Sequence, residues 1–122
     1  LPAFMPSAEA LATASSASAM SNCFGSWYAN PQLTYTYWVP DHNLRYNPGY
    51  EDDCVTDMQS MLNEHYGISL ATDGYFGQQT LTWVKKFQSD LSWCTGGADG
   101  VVGRNTYSCL DAVTGNHIGT HQ

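Results

Sequence analysis

The stretch DGYFGQQT occupies residues 73–80, and a second stretch, DGVVGRNT, occupies residues 99–106. Both follow the pattern Asp-Gly-x-apolar-Gly-x-x-Thr. Because the same local pattern occurs twice, it indicates an internal structural repeat. Glycine adopts positive φ without steric cost, and an aspartate side chain can accept hydrogen bonds from backbone N–H groups of a turn. Each stretch therefore predicts a tight turn that leads the chain into a helix.

The polar and glycine residues of the two loops are predicted to have structural roles. The aspartates and glycines hold the turns, and each threonine lies at or near the first turn of the following helix. The residues concerned are Asp73, Gly74, Gly77, Thr80, Asp99, Gly100, Gly103 and Thr106. A catalytic pair formed by the two aspartates is the less favoured alternative.

Hydrophobic periodicity predicts three helices around these loops. The first begins after Asp52 and Asp53, which can cap a helix, and ends at Gly67. The second spans about 79–91, and the third spans about 105–113. Apolar side chains share one face of each helix. The chain is therefore predicted to be mainly α, with a compact three-helix bundle.

The remaining segments differ in composition. Residues 1–21 are rich in Ala and Ser, which predicts order only against another surface. Residues 22–50 form an aromatic-rich arm, in which the alternation over 33–39 predicts a short edge strand. Residues 51–115 form the helical domain, and 116–122 form a polar tail.

Charge and hydropathy exclude several classes of partner. The net charge is -7, and the chain has only four Lys and Arg residues. Binding to nucleic acid or to an anionic membrane surface requires clusters of basic residues, so neither is expected. No run of about 20 apolar residues could span a bilayer. Ala17-Ser18-Ala19 is similar to a signal-peptidase site and would make the residues before Met20 part of a precursor, but this is the less favoured alternative.

The four cysteines are Cys23, Cys54, Cys94 and Cys109, and no two of them have Cys-x-x-Cys spacing. An even number of cysteines in a short chain of low charge favours an oxidising compartment and two disulfides. Binding of a metal by the four thiols is the less favoured alternative.

Catalytic and metal-binding patterns are weak in this sequence. The tripeptide at 41–43, Asp-His-Asn, has no evident catalytic partner. His117 and His121 are four residues apart but follow Gly115, so a helical metal site is not expected. The acidic run at 51–53 lacks the spacing of a calcium loop and is interpreted as helix-end charge. The sequence therefore predicts no enzyme activity, no cofactor and no metal.

Several segments together resemble the peptidoglycan-binding domain superfamily. Residues 55–63, VTDMQSMLN, resemble its Val-x-x-Leu-Gln-x-x-Leu-Asn signature, and loop 73–80 matches its Asp-Gly-x-Phe-Gly-x-x-Thr. Residues 84–88, VKKFQ, are similar to its Val-x-x-Phe-Gln helix, and 99–110 resemble its closing segment. The resemblance covers roughly residues 54–110. It implies a bundle of three helices that holds secreted or wall-active proteins on bacterial peptidoglycan.

The chain departs from the family pattern at three places. Trp83 stands where the family has alanine, so its ring must point outward or change a helix contact. Residues 91–97 form a longer connection, and Tyr107 replaces a tryptophan.

The resemblance also suggests the disulfide pairing. It places Cys94 before the second loop and Cys109 on the third helix, both facing the bundle. Cys23 would then join the arm to Cys54, while the two other connectivities remain open. Each bridge would contribute roughly 2–4 kcal/mol to stability.

The resemblance and the aromatic residues lead to two functional hypotheses. In the first, Tyr75, Trp83, Trp93 and Tyr107 bind peptidoglycan, either its glycan strands or its stem peptides. In the second, residues 1–50 bind other copies of the chain or another secreted protein, as a structural unit or an inhibitor. A piece of a larger wall enzyme is a third alternative. The alternative for each of these aromatic residues is a purely structural role, in which the side chain covers the core.

Overall fold

The structure is a computed structural model that describes residues 22–115. The predictions for 1–21 and 116–122, including the pair of histidines in the tail, lie outside these residues. The described part is mainly helical, as predicted. Its elements are β1 (Gly25–Tyr28), β2 (Tyr37–Pro40), α1 (Asp53–Tyr66), α2 (Gln78–Asp90), α3 (Ser92–Thr95) and α4 (Arg104–Thr114). The single-turn helix α3 lies in the longer connection and adds to the three helices predicted.

Local signals at the helix ends explain where α1 and α4 stop and start. The side chain of Asp52 accepts a hydrogen bond from the Cys54 N–H at 2.8 Å, which confirms the predicted N-cap of α1. Gly67 and Gly115 follow α1 and α4 with φ of 65° and 68°. Both are left-handed C-caps, as the sequence indicated.

The glycines of the two loops divide into two kinds. Gly74 and Gly100 have φ of 83° and 79°, so the expectation of positive φ is confirmed for them. Gly77 and Gly103 have φ of -94° and -90° and serve as extended N-caps of α2 and α4. The expectation of positive φ is wrong for this second pair, because the turn has already been completed.

One buried glutamine holds the first loop together. The Gln59 Nε2 group donates to the Tyr75 carbonyl oxygen at 3.0 Å, to Thr80 Oγ1 at 3.0 Å and, more weakly, to Asp73 Oδ1 at 3.4 Å. Its Oε1 accepts from the Gly74 N–H at 3.0 Å. The side-chain amide thus satisfies both donors and acceptors of the turn.

A second glutamine repeats this arrangement in the second loop. The Gln88 Nε2 group donates to Val101 O at 2.8 Å, to Asp99 Oδ1 at 3.0 Å and to Thr106 Oγ1 at 3.2 Å. Its Oε1 accepts from the Gly100 N–H at 2.8 Å. In both loops an aspartate and a threonine side chain thus accept hydrogen bonds from one glutamine amide, which is the arrangement expected of residues that hold a turn.

The arm contains a two-stranded antiparallel hairpin in which Tyr28 pairs with Tyr37. Tyr37 and Val39 are buried, as the period-two pattern predicted, but Tyr35 is 66% exposed. The strand over 33–39 is therefore shorter than predicted, because the chain turns before Tyr37. Strand β1 was not predicted.

The hairpin packs on α4 of its own chain. Tyr28 Oη donates to Asn105 Oδ1 at 2.6 Å, and Asn30 Nδ2 donates to Ser108 Oγ at 2.9 Å. The Arg104 guanidinium lies 4.7 Å from the centre of the Tyr28 ring. This part of the arm thus forms part of the domain.

The chain after the hairpin connects the two loops. Leu44 exchanges two backbone hydrogen bonds with Val102, at 2.9 and 2.7 Å. The Asn47 N–H donates to the Phe76 carbonyl oxygen at 2.9 Å. Leu44, Phe76 and Val102 are all buried, so this bridge also closes the core.

Both suggested disulfides are present. Cys23 is bonded to Cys54 and joins the arm to α1, while Cys94 is bonded to Cys109 and joins α3 to α4. The four residues are buried within one continuous hydrophobic core.

Among residues 22–115, the carboxyl group of Asp111 is buried and that of Asp57 is half-buried. Asp111 is 0% exposed, and burial, followed by the charge of Asp57, raises its pKa to about 9. Burial and then the charge of Asp53 raise the pKa of Asp57 to about 6. The Asp111 side chain is therefore protonated in the folded protein at neutral pH.

We expect the folded state to lose stability as pH rises. A carboxyl group whose pKa is raised by folding contributes most below its unfolded value of about 3.9, and this contribution is lost as pH approaches about 9. Thermal denaturation should show the midpoint falling by at least about 5 °C over this range. Asp111→Asn should flatten the profile above about pH 6. The control Glu51→Gln, at an exposed site, should keep the wild-type slope, and an unchanged slope in Asp111→Asn would contradict this assignment.

Replacing either buried glutamine should destabilise the domain to a similar degree. Gln59→Leu and Gln88→Leu each remove a side-chain amide and leave loop donors and acceptors unsatisfied, at a cost of about 2–4 kcal/mol. Urea denaturation measures this loss. Gln32→Leu, at an exposed site in the arm, should change stability by less than about 0.5 kcal/mol. Equal stability of all three variants would show that the networks do not hold the loops.

Candidate ligand-binding groove

The four aromatic residues predicted to bind ligand occupy different environments. Tyr75 is 41% exposed and Trp93 is 61% exposed, while Trp83 is partly buried. Tyr107 is 0% exposed, so its prediction as an accessible binding residue is wrong. The ring of Trp38, on β2, meets it edge-to-face at 6.1 Å, and the hairpin thus covers a position expected at a helix edge.

Tyr75 and Trp83 lie along one groove. A cavity of 360 Å³ extends beside Trp83, and another of 210 Å³ extends beside Tyr75. The two cavities share Leu70, Gln78 and Gln79 in their walls, so they adjoin one another. We call this feature the Tyr75–Trp83 groove. Trp93 lies on α3 and does not line it.

The Trp83 end of the groove is held by an aromatic contact between helices. Trp83 on α2 packs against Tyr66 at the end of α1, with ring centres 5.1 Å apart. Tyr66 Oη donates to Asp90 Oδ2 at 2.6 Å, and Lys86 Nζ lies 3.3 Å from the same carboxylate oxygen. Burial, and then the bond to Asp90, raises the pKa of Tyr66. Trp83 therefore changes a helix contact, which is one of the two outcomes expected for it.

The Tyr75 end of the groove is held by the first loop. The Tyr75 N–H donates to Asp73 Oδ1 at 3.0 Å, and its carbonyl oxygen is fixed by Gln59. The backbone at the base of this side chain is thus rigid while the ring remains accessible.

The groove is lined by neutral hydrogen-bonding groups and apolar surface. Gln78, Gln79 and Thr82 are exposed on the first turns of α2, and Ile68 and Leu70 form the opposite wall. Asp73 is the one charged residue in either wall, and its carboxylate is engaged in the turn. This arrangement suits a polar, uncharged ligand with hydrogen-bonding groups and a face that packs on an aromatic ring.

A separate polar cavity lies around His42. The His42 ring bonds to Asp41 Oδ1 at 2.9 Å and to Asp52 Oδ2 at 2.7 Å, and the second of these contacts was not predicted. The hydrogen bond to Asp41 is the main cause that raises the pKa of His42. Cys54 Sγ lies within 4.8 Å of these groups, but it is bonded to Cys23 and is not available as a thiolate ligand. The cluster fastens the arm to the N-terminus of α1.

Residues 22–115 form a small, disulfide-linked helical domain whose surface includes the aromatic-bounded Tyr75–Trp83 groove. Residues 51–110 match the family described as "Putative peptidoglycan binding domain". The C-terminal half of the chain therefore contains a peptidoglycan-binding-like domain, over nearly the range the resemblance indicated. No curated protein and no solved structure matches the chain. Among residues 22–115, no helix is long and apolar enough to cross a membrane.

Most of the positions that hold the groove could be found from the sequence. The loop residues and both aromatics of the groove were predicted, but the roles of Gln59 and Gln88 were not. The signal was present, because each glutamine ends the same local pattern, Val-x-x-apolar-Gln, at 55–59 and at 84–88. The sequence did not indicate that His42 contacts Asp52, because the two residues are ten positions apart and lie in different parts of the fold.

Proposed function

We propose that this chain is a secreted, non-catalytic module that binds bacterial peptidoglycan through the Tyr75–Trp83 groove. The observation that carries the proposal is the position of this groove. Its lining residues, from Ile68 to Trp83, all lie inside the region that matches the peptidoglycan-binding family. Peptidoglycan combines sugar rings with amide-rich peptides, and an aromatic, amide-lined groove suits both.

The chemistry of the groove supports binding without catalysis. Hydrolysis of a glycosidic bond requires a paired acid and base, and hydrolysis of an amide requires an activated nucleophile or water. The groove walls contain one carboxylate, Asp73, and it accepts the Tyr75 N–H within the turn. The two carboxyl groups with raised pKa, Asp57 and Asp111, do not line either cavity of the groove.

Two disulfides support export of the protein. They are compatible with an extracellular or cell-wall location, as is the peptidoglycan-binding-like domain. The net charge of -7 gives little electrostatic attraction to an acidic wall, so binding should depend on contacts in the groove.

A second candidate function is binding of another protein through the arm. Phe24, Trp27 and Tyr35 are 65%, 44% and 66% exposed on the hairpin and the turn that follows β1. Exposed aromatics of this kind are typical of protein interfaces. The hairpin itself packs on α4, so a partner would contact its outer face. Light scattering tests self-association: a monomer that remains a monomer after deletion of residues 1–21 would exclude assembly through that segment.

Retention on purified sacculi should depend on the groove. We expect the wild-type protein to pellet with sacculi and Trp83→Ala to reduce the bound fraction at least about fivefold, a loss of about 1 kcal/mol. Trp93→Ala removes an exposed tryptophan outside the groove and should bind like the wild type. Thermal denaturation of Trp83→Ala verifies that the variant is folded.

Two results would contradict the proposal. If the wild-type chain is retained no better than a control protein of equal acidity, wall binding is wrong. If Trp93→Ala and Trp83→Ala reduce retention equally while both remain folded, the groove is not the binding surface.

A further inference from the structure

The glutamine networks identify equivalent positions in the two halves of the helical domain, because each glutamine bonds to the threonine that follows its loop. Gln59 contacts Thr80 in the first half, and Gln88 contacts Thr106 in the second. Counting along the chain from each threonine therefore matches positions on α2 with positions on α4. The matched pairs are Gln79 with Asn105, Thr82 with Ser108, and Trp83 with Cys109.

On α4, a segment of the same chain covers Ser108 and Cys109 and bonds to Asn105, which remains exposed. Tyr28 Oη donates to Asn105 Oδ1 at 2.6 Å. Asn30 Nδ2 donates to Ser108 Oγ at 2.9 Å and lies 3.6 Å from Cys109 Sγ. Asn30 is only 2% exposed, so this is a well-covered contact. At these positions the α4 side chains thus accept hydrogen bonds from a phenol and from a side-chain amide of the neighbouring segment.

On α2, the residues at the matched positions line the open Tyr75–Trp83 groove. Gln79 and Thr82 are exposed there, and Trp83 forms one end of the cavity. The amide of Gln79 corresponds to that of Asn105, and the hydroxyl of Thr82 corresponds to that of Ser108. The chemical groups that hold the hairpin on α4 are therefore repeated on α2, where the described residues leave them accessible.

From this correspondence we infer that the groove binds the peptide part of peptidoglycan, its stem peptides, and not its glycan strands. The inference rests on the proposed function and specifies which component of the wall is recognised. The stem peptide lies extended along the first turns of α2, with its amides bonded to Gln79 and Thr82 and an apolar side chain packed on Trp83. Neither Lys nor Arg lines the groove, so recognition uses amides and not the carboxylates of the peptide.

Titration of the folded protein with two soluble wall fractions tests this inference. The first fraction contains stem peptides released from sacculi by an amidase, and the second contains the peptide-free glycan strands. We expect the stem peptides to shift the backbone amide NMR signals of residues 68–70 and 78–83, with an affinity at least about tenfold higher than that of the glycan. Because contacts through amides involve no ion pair, raising the salt concentration should change this affinity little.

A matched pair of variants separates the groove from the rest of the surface. Gln79→Ala should weaken peptide binding by about three- to tenfold, because it removes one hydrogen-bonding side chain. Gln32→Ala changes an exposed glutamine on the arm and should leave the affinity unaltered. Both sites are exposed, so neither change should affect folding.

The outcomes distinguish this inference from the proposed function. Shifts in the groove caused by glycan strands and not by peptides would overturn peptide recognition while leaving wall binding in place. Peptide-induced shifts located on α3 or α4 would also overturn it. Failure of the protein to pellet with intact sacculi, combined with peptide shifts in the groove, would overturn wall attachment and support peptide recognition.

Discussion

A primary amide on the inner face of a helix organises each half of this domain. Gln59 and Gln88 both use their NH₂ group and their oxygen to satisfy the backbone of a glycine turn several residues away. Buried polar groups are costly unless they are fully bonded, so such a network fixes one loop conformation. The loop then sets where the next helix begins, and the groove on α2 depends on that starting point.

The sequence was informative where structure is determined locally. The helices, their glycine caps and the twin loops follow from periodicity and from turn residues that act within a few positions. The strand at Gly25–Tyr28 gave no such signal, because its four residues are largely exposed and do not alternate. The helix at Ser92–Thr95 has only one turn, which is too short to show periodicity.

The errors about the site arose from contacts between distant segments. Tyr107 was expected at an accessible helix edge, but Trp38, some seventy positions earlier, packs against it. His42 similarly finds Asp52 only because the arm folds back onto α1. Tyr75 and Trp83 lie within or next to the first repeated loop, and no described residue of the arm lines their groove, so their ligand-binding role stays a prediction.

The shared register also relates the disulfide between Cys94 and Cys109 to the aromatic contact between Tyr66 and Trp83. Counted from the two threonines, Cys109 corresponds to Trp83; counted from the two glutamines, Cys94 corresponds to His65, the neighbour of Tyr66. One half of the domain is thus joined by a covalent bond near the place where the other is joined by a tilted contact between two rings. Two rings in contact can slide or separate at small cost, whereas a covalent bond cannot. Conformational adjustment to a bound ligand is therefore expected mainly in the half that contains the groove.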